Sequence, residues 1–372
     1  MNVAVNRSYL SFIDWLKCLG MLLILYGHLV GWAPLTALAP IYSKQLGVAF
    51  FLFATSYSLS RETRDRGRVV FNRLFEVYLF GFTVALIVSI LSVASGGRAQ
   101  LSNYYPLLTG VNVALNSFPA NPTSWYLGTY VHVILLWALL RSRLRVTAPL
   151  LAISFVGEII VRAVLIETAG GFVAYMVVPN WLTVLLLGYW YGQREPYEPR
   201  PRASDRVWSA SNGWSICALV LLLTGWSLLS ARVPFEHTFP FMQLRMPQLP
   251  FGALLVSAMV STVYLSVTLL AFRSVERLPA PAPVRFVSRN TLLIFLVHMP
   301  LFRAIEPVVR QWTSGSGMRS AIYMIVCLPG LALLSEGVQR LVRPRDLRDR
   351  LYVRVQASVA SRRFLAASQE LR

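Results

Sequence analysis

The chain is poor in charged residues for its length. Of its 372 residues, 14% are charged and 56% are hydrophobic, and the mean hydropathy is +0.56. Soluble domains average about 25% charged residues. The composition therefore excludes an ordinary soluble protein and predicts an integral, multi-pass membrane protein.

Cysteines are few as well. Cys18, Cys217 and Cys327 each lie in an apolar segment, without CxxC spacing and without a histidine partner nearby. This pattern excludes a disulfide framework and a metal site. We interpret the three as small buried hydrophobic residues.

Acidic residues are also scarce, since 16 Asp and Glu stand against 35 Lys and Arg and give a net charge of +19. The arginines occur in short blocks between apolar runs and not on one basic face with interleaved aromatic residues, so no nucleic acid partner is expected. The blocks follow the positive-inside rule and predict that both termini are cytoplasmic. No cleavage site follows the first apolar run, so we expect the first helix to stay in the mature protein.

Long apolar segments dominate the rest of the chain. A helix needs about 20 apolar residues to cross a bilayer, and the segments that approach this length are 11–32, 45–60, 70–95, 123–140, 147–167, 172–192, 213–231, 248–272, 290–309 and 320–341. We therefore predict an all-α, polytopic membrane helix bundle with about ten transmembrane helices. Residues 1–343 would form the transmembrane domain, and 344–372 a basic cytoplasmic tail on the anionic inner leaflet.

The first apolar segment, "SFIDWLKCLGMLLILYGHLVGW", carries three polar side chains. At 3.6 residues per turn, Lys17 and His28 lie within about 20° of one face and about 16 Å apart, and Asp14 neighbours Lys17 on that face. Charged groups at bilayer depth usually mark a pathway or a site. Snorkelling accounts for Lys17 without function, whereas His28 is either a structural residue or a general base.

The segment "IDWLKCLGMLLILYGH" resembles the first-helix signature of the membrane acyltransferase type 3 family, which has an Asp, a basic residue and a His eleven residues beyond that base. Further segments are similar to later family motifs in the family's order. They are "FFLFATSYSLSRE" at 50–62, "VVFNRLFEVYLFG" at 69–81, "TSWYLGTYVHVILLW" at 123–137 and "RNTLLIFLVHMPLF" at 289–302.

This resemblance implies a chemistry. The family transfers an acyl group, typically acetyl, from cytoplasmic acyl-CoA to a hydroxyl of a glycan or another cell-envelope acceptor. His28 would be the catalytic base, Lys17 and Arg73 would hold the CoA phosphates, and Asp14 would fix Lys17. Acyl-CoA would be a co-substrate, with no permanently bound cofactor, and the expected location is the bacterial inner membrane. An ordinary positive-inside anchor is the alternative reading of Arg73.

Three positions depart from the family pattern. Lys17 stands where the family usually has Arg, so a bidentate phosphate fork becomes a point charge. Ser56 replaces the Gly of the second-helix motif, and Glu76 occupies a position where the family tends to repeat Arg.

Three further residues are candidates for the acceptor side. Trp125 and Tyr126 begin the fourth predicted span, where they either stack on a sugar or anchor the helix in the aromatic belt. His298 precedes Pro300, which predicts a kink or a local opening. It would be either a second pore-facing polar group or a structural hydrogen-bonding residue.

Two charged residues of the fifth span are four positions apart. Glu158 and Arg162 have the spacing and order of an ion pair, and we expect them to support the bundle by neutralising one another. His237 lies in a predicted outer loop, where nothing but location points to acceptor contact.

Two other functions stay open at the level of sequence. The polar face of the first helix, with Asp14, Lys17 and His28, would also suit a transporter or exporter of a glycan or lipid precursor. Residues 1–190 and 191–372, however, lack the self-similarity that transporters often show. An inactive relative that serves as an assembly partner is the third possibility.

Overall fold

The computed structural model describes residues 10–29, 43–119, 122–194, 210–232, 251–313 and 315–370. Within these ranges the regular structure is helical and contains no strand, which confirms the predicted all-α class. The helices are α1 Ser11–Leu29, α2 Ser43–Ser60, α3 Arg66–Ala94, α4 Tyr104–Thr109, α5 Trp125–Leu140, α6 Ala148–Thr168, α7 Gly171–Met176, α8 Leu182–Arg194, α9 Ala210–Arg232, α10 Gly252–Val275, α11 Ala282–Trp312, α12 Ser316–Ala321, α13 Leu328–Val342 and α14 Pro344–Glu370.

Six helical stretches among the described residues are long and apolar enough to cross a membrane. They are α1, α3, α6, α10, α11 and the continuous stretch Gly317–Ser358, and two shorter apolar helices cover Trp125–Leu140 and Gly213–Trp226. Large apolar side chains such as Ile90, Ile153 and Leu221 are exposed on the outside of these helices, as lipid-facing residues are. The chain is therefore an integral membrane protein, while the count of ten spans and the cytoplasmic termini remain predictions.

The sixth predicted span is not one helix. Residues 172–192 contain α7, a 3-10 turn over Val178–Trp181 and α8. Val177 has an extended backbone (φ −76°, ψ 141°), and Pro179 offers no N–H to an α-helical ladder. The prediction of a single helix was wrong here because the length and hydropathy of a segment do not reveal a one-turn interruption of the helix.

α2 lies between α1 and α8, and glycines allow all three helices to approach closely. A Cβ on Gly20 would lie 2.9 Å from the Gly47 carbonyl oxygen, and one on Gly47 would lie 2.6 Å from Ile24 Cγ1. On the other face of α2, a Cβ on Gly192 would lie 2.9 Å from the Tyr57 carbonyl oxygen. Small residues in such positions are the usual means of close helix packing in membranes, and here they fix α1 in depth and rotation.

The N-terminal end of α1 is tied to the segment that precedes α11. Ser11 Oγ donates to the Leu278 carbonyl oxygen (2.7 Å), and Trp15 Nε1 donates to that of Pro279 (3.2 Å). α1 and α11 therefore enter the bundle side by side.

The charged pair of α6 is completely buried. Arg162 Nη2 and Glu158 Oε1 are 2.7 Å apart, and both side chains are 0% exposed. Arg162 also donates to the carbonyl oxygen of Asn180 (2.6 Å), while Glu158 accepts from Ser261 Oγ (3.0 Å) and from the Thr183 backbone N–H (3.0 Å). The pair thus connects α6 with α8 and α10, and its hydrogen bonds offset part of the cost of burying two charges.

The C-terminal helix packs on the start of α3. Arg348 Nη1 lies 3.0 Å from Glu76 Oε1, and Arg68 Nη2 lies 3.0 Å from Asp349 Oδ1. The Arg68 guanidinium also stacks 4.2 Å above the ring of Tyr352. Glu76, one of the departures from the family pattern, is therefore paired with a residue of α14.

The cysteines follow the prediction only in part. Cys18 is buried, Cys327 is half-buried and Cys217 is exposed, and all three are free thiols. Cys217 is exposed because it lies on α9, whose surface is largely open to the lipid.

Candidate active site

Two histidines from distant parts of the sequence meet between α1 and α11. His28 lies in the last turn of α1, and His298 lies near the middle of α11. His28 Nδ1 and His298 Nε2 are 3.1 Å apart, and the ring centroids are 4.8 Å apart. The structure therefore brings His298 beside the candidate base, whereas Pro300 does not end α11, which continues to Trp312.

The hydrogen bonds of the pair define the tautomers. His298 Nδ1 lies 2.7 Å from the carbonyl oxygen of Phe295, and His28 Nδ1 lies 3.0 Å from that of Ile24. A carbonyl oxygen only accepts, so in the neutral rings both Nδ1 atoms carry the proton; this assignment rests on the hydrogen-bond network. His298 Nε2 then accepts from His28 Nδ1–H. His28 Nε2 is left with a lone pair and no hydrogen-bond partner among the described residues.

The two rings differ in exposure. His298 is 0% exposed and packs 5.8 Å from the rings of Phe295 and Phe302. His28 is only half-buried. A ligand can therefore reach the His28 ring, while His298 contacts this ring at Nδ1 from the buried side.

Aromatic side chains form a wall beside the pair. The rings of Tyr126 and Phe295 are 5.2 Å apart, and those of Trp125 and Phe295 are 6.4 Å apart. Tyr126 also packs 6.5 Å from Phe51 of α2. Trp125 is buried and Tyr126 half-buried, so both pack inside the bundle, one turn of α11 away from His298.

Two cations lie at the end of the site nearer the N-terminus of α1. Lys17 and Arg73 are both half-buried, and each lies within the electrostatic range of the other. In the described part of the chain neither forms an ion pair or a hydrogen bond with another side chain. Asp14 and Glu76 also act on Lys17, so this end of the site carries charges of both signs.

Asp14 makes its described contact elsewhere. Its Oδ1 accepts a hydrogen bond from Ser288 Oγ at 2.5 Å, which links α1 to α11 two turns from the start of α11. Asp14 also acts electrostatically on Lys17, and its expected role in fixing Lys17 stays a prediction. Ser288 had no sequence signal of its own.

Some candidates lie apart from this arrangement. Glu158 and Arg162 contact α8 and α10 and make no described contact with His28 or His298. His237 lies outside the described residues. Lys44, in the first turn of α2, is the residue that sequence reasoning missed: it is half-buried and acts electrostatically on both histidines.

A family model described as an acyltransferase domain matches residues 10–336. The chain belongs to the acyltransferase type 3 family. Members of this family are membrane O-acyltransferases. The family region includes the histidine pair, Lys17, Arg73 and the aromatic wall, whereas α14 follows it. Comparisons with curated proteins and with solved structures find no match.

Proposed function

We propose that this acyltransferase moves an acyl group, typically acetyl, from cytoplasmic acyl-CoA to a hydroxyl of a cell-envelope glycan, with His28 as the general base. The bacterial inner membrane is the location that suits such a reaction. The observation that carries the proposal is the free lone pair on His28 Nε2, which the hydrogen bonds of Nδ1 leave available.

The reaction needs one base that also serves as an acid. His28 Nε2 takes the proton of the acceptor hydroxyl while the hydroxyl oxygen attacks the thioester carbonyl carbon. The C–S bond then breaks, the ester forms, and the imidazolium returns its proton to the CoA thiolate. During this sequence His28 Nδ1–H keeps its hydrogen bonds to the Ile24 carbonyl oxygen and to His298, which favour the charged ring.

The donor would enter from the inner side. Lys17 and Arg73 are half-buried cations without a described counter-ion, and phosphates are suitable partners for them. Eleven helical residues place Lys17 about 16 Å from His28. This separation is comparable with the extended pantetheine arm that joins the phosphates of CoA to its thioester.

Acetyl-CoA consumption tests the proposal. Membranes with the native chain should consume the thioester, and His28→Ala should reduce the rate by two orders of magnitude or more, since general acid–base catalysis contributes about 10²–10⁴-fold. His132→Ala, in a histidine of α5 without such contacts, serves as the matched control and should keep the native rate.

Two results would contradict the proposal. If His28→Ala consumed acetyl-CoA as fast as the native chain, His28 would not be the base. If neither chain consumed a CoA thioester, the transport alternative would take precedence over acyl transfer.

A further inference from the structure

The first turn of α2 carries a lysine that the donor side does not use. Lys44 is half-buried and has no ion pair or hydrogen bond to any other residue in the described ranges. An ammonium group partly removed from water needs a counter-charge, because uncompensated burial of a charge is costly. The Lys44 ammonium group therefore lacks a counter-charge among the described residues.

The backbone of Lys44 is level with Ile24 of α1, about one helical turn short of His28. α1 and α2 are antiparallel, because Phe12 packs on Tyr57 (4.8 Å) while Gly20 contacts Gly47. Lys44 is one turn further out than Gly47, and its Cα–Cβ bond tilts toward the outer end of α2. Its side chain thus extends to the depth of His28.

Lys44 also lies on the face of α2 that borders the histidine pair. At 100° per residue, Phe51 and Thr55 are within about 20° of Lys44 on the helical wheel. The ring of Phe51 packs 6.5 Å from that of Tyr126 in the aromatic wall beside the histidine pair. Electrostatic interaction of Lys44 with both imidazoles agrees with this position.

One neighbouring donor, on Gln45, has the same need for an acceptor, and a second cation, Arg303, lies nearby. Gln45 is 3% exposed, and its Nε2 has no hydrogen-bond partner. Buried donors are satisfied in the large majority of native structures, so an unpaired one is unusual. Arg303, five residues beyond His298, is exposed, has no ion pair with a described residue and acts electrostatically on His28.

We propose that Lys44 binds an anionic group of the acceptor at the outer end of the site, so that the acceptor is a glycan with a carboxylate or a phosphate. This inference rests on the proposed acyl transfer and names the class of its acceptor. The inner cations Lys17 and Arg73 are assigned to the donor, and the backbone of Lys44 is about 9 Å from that of Lys17 along the helix axes, by the register of Gly20 with Gly47. A phosphate on a lipid carrier and the carboxylate of an acidic sugar share the chemistry that an ammonium group recognises.

Binding of small probes tests the inference without an assay of acyl transfer. The purified chain in lipid nanodiscs is saturated with CoA, so that the inner cations are occupied, and its melting temperature is followed with increasing pyrophosphate, D-glucuronate or D-glucose. We expect at least one anion to stabilise the native chain and D-glucose not to do so. Lys44→Met should weaken that anion by about tenfold or more, since a contact to a charged group is lost.

Matched variants separate charge from folding. Lys44→Arg should retain the response to the anion, because it keeps the positive charge at this position. Stabilisation by CoA in Lys44→Met shows that this variant is folded, because the proposed donor site is formed by Lys17 and Arg73 and does not include Lys44.

The outcomes decide both the inference and the acceptor class. A response to pyrophosphate alone supports a phosphate-linked glycan, and a response to D-glucuronate alone supports an acidic sugar. Equal anion binding by the native chain and Lys44→Met overturns the inference, as does a native chain that no anion stabilises more than D-glucose. Either failure leaves the acetyl-CoA test of His28 unaffected, so the two proposals fail separately.

Discussion

Replacement of His298 tests whether the buried ring acts through His28. In His298→Leu the apolar surroundings of Phe295 and Phe302 are kept, while the acceptor of His28 Nδ1–H at 3.1 Å is lost. The carbonyl oxygen of Ile24 still accepts from Nδ1 at 3.0 Å. His28 therefore keeps its tautomer but loses one of the two acceptors that stabilise its charged form.

The magnitude follows from that loss. A hydrogen bond to a charged group contributes about 1.5–3 kcal/mol, and each 1.36 kcal/mol changes a rate tenfold. Because Ile24 remains as an acceptor, we expect the lower part of this range. In His298→Leu kcat should fall by about tenfold to thirtyfold, whereas the KM for acetyl-CoA should change little, since the proposed binding site of the donor phosphates is at the other end of α1.

The assay is steady-state consumption of acetyl-CoA in nanodiscs, with the melting temperature as a control for folding. His298→Gln is the rescue variant, because its side-chain carbonyl oxygen can accept from His28 Nδ1–H, and it should recover part of the lost kcat. A native kcat in His298→Leu would refute the reasoning. So would a His298→Gln variant that is folded but no more active than His298→Leu.

Two other predictions concern charges. Glu158→Leu leaves the Arg162 guanidinium buried without its carboxylate and should lower the unfolding free energy by about 3–5 kcal/mol, which is measured as a lower melting temperature. The control is Glu306→Leu, in a partly exposed ion pair with Arg310, which should lower the unfolding free energy by less than about 1 kcal/mol. Equal losses in the two variants would contradict this account. Lys17→Met should raise the KM for acetyl-CoA by about tenfold or more with a smaller change in kcat. The control Lys17→Arg, which keeps the charge, should keep or lower the KM. An unchanged KM in Lys17→Met would exclude Lys17 from donor binding.

Helix existence was predictable where an apolar run is long and continuous. α3, α6 and α10 fall on predicted segments because each contains a continuous apolar run that is long enough to cross a membrane. The break between α7 and α8 was not predictable from hydropathy, since Pro179 lies inside an apolar run and its effect depends on the local backbone.

The site was predictable along one helix but not across helices. Helical spacing relates Lys17 to His28 because both belong to α1. The contact between His28 and His298 depends on how α1 packs on α11, and helical spacing within one segment does not predict the packing of two distant segments. Lys44 escaped notice because a lysine at the start of an apolar helix is usually an interfacial residue.

The pairing of Glu76 with Arg348 means that the family region and the working unit of this enzyme have different boundaries. The family region ends at residue 336, before α14 begins. A chain shortened to Val342 would lose the guanidinium that occupies Glu76, and the freed carboxylate would lie within the electrostatic range of Lys17. There its charge would no longer be offset and would oppose the proposed binding of phosphates, so α14 supplies the counter-charge of a carboxylate that already acts on Lys17 in the intact structure.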